Sequence, residues 1–247
     1  MATELTVPAK TGVHPLDLDD AIRESLRGAH AHFARWSGRV ARYHPDVAPH
    51  IGHPATLGDE DWADLATLLG PSATAALRGF GHTPPPGWEG VDSFGLVQMD
   101  GTALDVEPDP RAEVLGPSDV PEILDLIGRT RPGPYLPRTI EMGTYLGFRV
   151  DGELVAMAGE RLHPPGWTEI SAVCTDERFR GRGFGARLVR AVGAGIRARG
   201  ERPFLHAAQA NTTAIRLYES LGFTLRQQSA LTVVRTPAEA APPPVSG

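Results

Sequence analysis

The chain has 247 residues, 41% hydrophobic and 22% charged, which is an ordinary folded composition with enough length to bury a core. Its formal net charge of -6 argues against a general nucleic-acid binder. No apolar run approaches the roughly 20 residues that span a bilayer. The first twenty residues lack the basic-then-apolar layout of a signal peptide, and Cys174 is the only cysteine. These features imply a cytoplasmic protein with no membrane partner, no internal disulfide and no cysteine-based zinc site.

In chain order, DLDDAIRESLRGAHAHFAR (17–35) predicts a helix with an acidic first turn, and SGRVARYHP (37–45) alternates like a strand that stops at proline. LGDEDWADLATLLG (57–70) predicts a helix with Asp59 as N-cap, and SFGLVQM (93–99) a strand. The stretch TALDVEPDPRAEV (102–114) has no clear period and reads as a linker. Beyond it, AEVLG is a short strand, and a helix opens at Pro117, Ser118 and Asp119. TYLGFRV (144–150) and ELVAMAGERL (153–162) flank Asp151-Gly152, a strong hairpin signal. With WTEISAVCT (167–175) they form an antiparallel meander. A helix then runs from Gly183 to about Arg199, followed by the strand PFLHAA (203–208). NTTAIRLYESLG predicts a helix between Asn211 and Gly222, and LTVVRT (231–236) a closing strand. The organisation is therefore an N-terminal α+β region over 1–110, a second unit over 111–236, and a proline-rich tail over 237–247 expected to be disordered.

Charge divides along the same line. Residues 1–110 carry 7 basic and 16 acidic side chains, whereas 111–236 carry 17 and 13. Eight arginines and one acid fall within 178–202. There RFRGRGFGARL places Gly181, Gly183 and Gly185 at the mouth of a helix. A helix start leaves unpaired N–H groups and partial positive charge, and glycines let an anion approach without a Cβ in the way. A P-loop requires Gly-Lys-Ser/Thr, but Ala-Arg-Leu follows Gly185. Gly181, Gly183 and Ala186 match a dinucleotide fingerprint literally, yet that fingerprint follows the first strand of a parallel unit, not a meander. The histidines before residue 110 show no paired helical spacing, so no metal site is expected.

The third cradle, R-x-x-G-x-G at Arg180, Gly183 and Gly185, resembles the acetyl-CoA pyrophosphate loop of the GNAT superfamily of N-acyltransferases. A second motif at the right distance, N-x-x-A-x-x-L-Y-x-x-x-G-F from Asn211 to Phe223, strengthens the resemblance, which covers about 111–236. It implies an α/β (α+β) fold with a mixed, mostly antiparallel central sheet flanked by helices. The motifs assign residues 1–110 no role; a separate reading makes them a degenerate half of the same fold that shapes the acceptor pocket, their acidity then favouring a cationic acceptor.

The resemblance implies transfer of an acetyl group from acetyl-CoA directly to a primary amine of a small-molecule or amino-acid-like acceptor. The alternatives are a protein or peptide acceptor and a non-catalytic acyl-CoA-binding regulatory module. It further implies that Val173, Cys174 and Thr175 pair with pantetheine through their backbone. Arg180, Gly181, Arg182, Gly183, Phe184, Gly185 and Ala186 would hold the pyrophosphate, and Asn211 would hydrogen-bond the arm. Tyr218 occupies the position of the proton donor to the leaving thiolate. For the base, Glu169 lies eleven residues before Arg180, with Glu160, His206 and a water-only path as rivals. Cys174 is expected to pack rather than to carry an acyl group. Monomer and homodimer both stay open.

Overall fold

Asp151 (φ 50) and Gly152 (φ 84) both take the left-handed conformation that a two-residue hairpin demands. Around them the computed structural model, which describes residues 18–79 and 81–238, builds an eight-stranded sheet. The turn joins β7 (Tyr145–Val150) to β8 (Glu153–Glu160), and β9 (Trp167–Thr175) completes the meander. The short β6 (Glu113–Leu115) lies outside β7. Beyond β9 come β10 (Arg202–Ala208), β5 (Glu89–Asp100), β11 (Thr224–Arg235) and β4 (Thr74–Arg78), giving the order β4-β11-β5-β10-β9-β8-β7-β6. Each neighbouring pair is antiparallel except β9 and β10.

That parallel pair requires a crossover, which α4 (Phe184–Ala198) supplies. Leu188, Val189, Val192 and Ile196 recur on one face of α4 and are buried against the sheet with Tyr218, Leu221 and Phe223. Those three come from α5 (Thr212–Ser220) and the residues just after it, and Asn211 Oδ1 caps α5 by accepting from Ala214 N–H at 3.1 Å. On the other face, α3 (Val120–Thr130) buries Ile123, Leu126 and Ile127 against β7 and β8.

The N-terminal region departs most from its sequence pattern. The helix expected over 17–35 spans only Ala21–Arg27, as α1, and stops at Gly28. The chain then turns into a hairpin of β1 (Ala34–Ser37) and β2 (Val40–Tyr43), bent at Gly38. β3 (Ile51–Gly52) extends it to a three-stranded sheet. α2 (Asp59–Leu69) forms as expected, but Gly58 is its N-cap and Asp61 Oδ2 accepts the Gly58 N–H at 2.8 Å. Residues 74–100 then lend β4 and β5 to the large sheet instead of closing a sheet of their own. The sheet therefore takes strands from both sides of residues 102–114.

Those residues do not behave as a free linker. Leu104 is fully buried among Met99, Val189 and Val192. Arg187 pairs with Asp109 at 2.6 Å, and Arg197 donates to Thr102 O at 2.5 Å, so the segment is strapped along α4. The motif lacked a period because its apolar anchors are single residues in irregular backbone. Of the proline-rich tail, residues 239–247 lie outside the described residues.

Candidate active site

β9 and β10 pair only from Trp167 to Ile170 and Arg202 to Leu205. Past that point they separate, because β9 carries a bulge. Opposite β8, Gly159 faces Ser171 and Met157 faces Cys174, so β9 spends one extra residue. Ala172 absorbs it at φ 53. β10 meanwhile stays with β5 through His206, Ala207 and Ala208. The edge of β9 from Ser171 to Thr175 thus faces a gap instead of a strand. The bulge also breaks the two-residue alternation that in a regular strand would put Glu169, Ser171 and Val173 on one face.

A cavity of about 720 Å³ fills this gap. Val173, Cys174, Thr175, Arg180, Asn211 and Tyr218 all line it, which brings six of the sequence-predicted residues together. Gly181, Arg182, Gly183, Phe184, Gly185 and Ala186 form the loop and first turn of α4 beside it. Gly183 is the N-cap at φ 76, a conformation that suits glycine. The first helical bond runs from Arg187 N–H to Gly183 O at 3.1 Å, leaving the N–H groups of Phe184, Gly185 and Ala186 without helical acceptors. A Cβ on Gly185 would lie 3.8 Å from Thr175 Oγ1 and 3.9 Å from Val173 Cγ1, so the helix start abuts the β9 edge. Arg182 stacks over Phe179, with its guanidinium 5.0 Å from the ring centre. Arg178 is committed to Asp176 and Glu153.

Burial pushes the Tyr218 phenol up to about 12, with Cys174 adding to the shift, so the hydroxyl stays protonated at neutral pH. Burial likewise raises the Cys174 thiol to about 11, which disfavours a nucleophilic thiolate.

Glu169, expected to face the amine, is fully buried and does not itself line the cavity. Arg161 grips both its oxygens, Nε to Oε2 at 2.8 Å and Nη2 to Oε1 at 2.7 Å. His206 Nδ1 donates to Oε1 at 2.6 Å. Desolvation works to raise this carboxyl, but the Arg161 charge and these hydrogen bonds prevail and hold it well below its ordinary range. Glu169 therefore meets the cavity through Arg161 and His206, which both line it. His206 has no free lone pair to act as a base, because Nε2 accepts from Arg78 Nη1 at 2.9 Å and from Gln98 Nε2 at 3.0 Å. Burial, and the Arg78 charge after it, lower its pKa to about 4. Glu160 pairs with Arg199 at 2.8 Å and does not line the cavity.

Arg78, Arg161 and His50 were not singled out from sequence. Arg78 closes TAALR, an unrecognised strand whose one charged residue was the available signal. Arg78, His206 and Ile22 also line a second cavity of about 540 Å³ on the α1 side.

A splayed parallel pair with a glycine-rich helix start at its mouth is the architecture of an acyltransferase of the resembled family. Comparison with known proteins agrees. The FR47-like protein family model matches residues 145–232. A solved structure from Novosphingobium aromaticivorans, described as belonging to the GNAT family, is 39% identical with a TM-score of 0.80; the match covers 88% of this chain and 97% of that one. Mycothiol acetyltransferases match over shorter segments. The one from Corynebacterium glutamicum is 39% identical over 82 residues, or 32% of this chain and 28% of that protein. The one from Thermobispora bispora is 47% identical over 57 residues, or 23% and 19%. This chain thus matches less than a third of the length of either. The chain belongs to the GNAT family of acetyltransferases. No helix among the described residues is long and apolar enough to cross a membrane.

Proposed function

We propose that the protein transfers the acetyl group of acetyl-CoA directly to the primary amine of a small, amino-acid-like acceptor. The observation that carries this reading is one continuous cavity lined by Arg180 and the β9 edge beside the start of α4, by Tyr218, and by a polar group of His50, Arg78, Arg161 and His206. The pyrophosphate would lie against the amides from Gly181 to Ala186, with Arg180 and Arg182 beside it. The unpaired edge of Val173, Cys174 and Thr175 would pair with pantetheine, as a strand completes a sheet. Asn211 Oδ1 is occupied by its cap, so its amide NH₂ is the group free to donate.

The neutral amine attacks the thioester carbonyl, its proton leaves to water in the cavity, and the C–S bond breaks with its electron pair on sulfur. Tyr218 then donates to that sulfur. A phenol raised to about 12 is a weak acid toward a thiolate of pKa ~8.5, so it acts as a hydrogen-bond donor more than by full transfer. Glu169 acts as a positioning residue, holding the Arg161 fork and fixing the His206 tautomer.

The test is thiol release from acetyl-CoA across a panel of primary amines, with wild type and Tyr218→Phe. The variant should lose about 10- to 100-fold in kcat with little change in acetyl-CoA KM. Equal turnover would remove Tyr218 from the chemistry. Acetyl-CoA binding without consumption by any amine would favour a regulatory module.

A further inference from the structure

We propose that the acceptor carries a carboxylate besides its amine, and that Arg78 and Arg161 hold that carboxylate at the polar end of the cavity. The inference rests on the acetyltransferase reading above and names its acceptor class.

Among the described residues lining the cavity are four arginines, Arg78, Arg131, Arg161 and Arg180, and no aspartate or glutamate. Arg180 and Arg131 belong to the cradle side and the loop after α3. Arg78 and Arg161 project from β4 and the end of β8, beside His206. One carboxylate serves both, because Glu169 is bound to Arg161 and reaches Arg78 only through His206. With His206 neutral, Arg78, Arg161 and Glu169 sum to one positive charge. His50 is also neutral, since burial lowers it to about 3, so it does not change that sum.

The donors are likewise incompletely used. Arg78 spends Nη1 on His206, its Nε is buried with no partner, and Nη2 meets no acceptor among the described residues. Arg161 spends Nε and Nη2 on Glu169, and its Nη1 meets no acceptor among the described residues. His50 Nε2, which is buried at the same end, also has no partner among the described residues. Asp20, the other acid whose field reaches Arg78, is bound to Arg23 at 2.5 Å and lines the second cavity instead. A guanidinium drawn largely out of water without an acid is stabilised when something anionic pairs with it. Two forks with spare N–H groups suit the planar geometry of a carboxylate.

The cationic acceptor expected from the acidity of residues 1–110 is thereby replaced. Many of those acids lie on the surface or in local pairs such as Arg39–Asp61 and Arg27–Glu24, and the cavity lining carries none of them. Net charge of a region did not predict the sign of its pocket.

The test uses calorimetry on the full chain saturated with CoA. It titrates a panel of N-acetyl-L-amino acids, each as free acid and as primary amide, into wild type, Arg78→Gln and Arg78→Lys. At least one acid should bind about 10- to 100-fold more tightly than its amide, the range expected for a charged hydrogen bond. Arg78→Gln should erase that preference, and Arg78→Lys should retain part of it. If Arg78→Gln does not fold, judged by thermal denaturation, the acid–amide ratio in wild type against Arg78→Lys decides. Amides binding as well as acids, no acid binding, or a preference undiminished in both variants would each overturn the proposal. Failure of CoA itself to bind in the preceding titration strikes the acetyltransferase reading, and the carboxylate site falls with it.

Discussion

Mild acid should unfold this protein before its carboxylates titrate, because three buried histidines are each built to be neutral. His30 donates from Nε2 to Met142 O at 3.0 Å and accepts from the Tyr43 hydroxyl at Nδ1 at 2.8 Å. His53 donates from Nδ1 to Pro54 O at 2.8 Å and accepts the Arg78 N–H at Nε2 at 3.1 Å. His206 donates to Glu169 and accepts from Arg78 and Gln98. A second proton on His53 or His206 would confront a donor, and burial is the leading cause that lowers all three to about 4. Above the unfolded value of ~6.5 both states are neutral, and their contribution to stability is complete. As pH falls from 6.5 toward 4, the unfolded chain binds protons that the folded chain refuses, so stability is lost. At pH 5 the loss is about 2 kcal/mol for each histidine and about 6 kcal/mol for the three. That is comparable to a whole domain's stability of about 5–15 kcal/mol. Urea titrations followed by circular dichroism at half-unit steps from pH 7.5 to 4.5 would measure it. His53→Gln should remove about 2 kcal/mol of the loss at pH 5. Stability that stays flat from pH 7 to pH 5 would refute the assignment of neutral, doubly bonded imidazoles.

Leu104→Ala should cost about 2–5 kcal/mol in chemical denaturation, because Leu104 is core despite its irregular segment; a cost below 1 kcal/mol would make the strap dispensable. Glu169→Gln leaves Arg161 buried without its counter-charge and should destabilise by about 3–5 kcal/mol. If that variant keeps its melting temperature but loses turnover, the carboxylate acts on the reaction itself. Gly183→Ala puts a Cβ on a residue at φ 76, so acetyl-CoA affinity by calorimetry should fall about ten-fold, and unchanged affinity would remove the cradle's role.

Local pattern determined much of this protein. Asp151-Gly152 set the hairpin, Asn211 set the start of α5, and the apolar stripe of Leu188, Val189, Val192 and Ile196 set the buried face of α4. These depend on short-range geometry, which neighbouring residues specify. Glycines at Gly181 and Gly183, followed by the Asn211–Phe223 motif, likewise placed the cradle and Tyr218 together. What sequence left open depends on partners far along the chain. Trp36 and Arg42 could not announce a hairpin hidden inside an expected helix-strand pair, because tertiary packing against α2 overrode local preference. Glu169 could be read as a base because its type and spacing allowed it. Only the fold brought Arg161 and His206 onto its oxygens and removed its lone pairs from the cavity. Only the fold, too, carried Arg78 from an unremarked strand to His206, 128 residues away, and left it there without an acid. Charge in a sequence is a sum, whereas charge in a site depends on which side chains share a cavity, and long-range packing decides that.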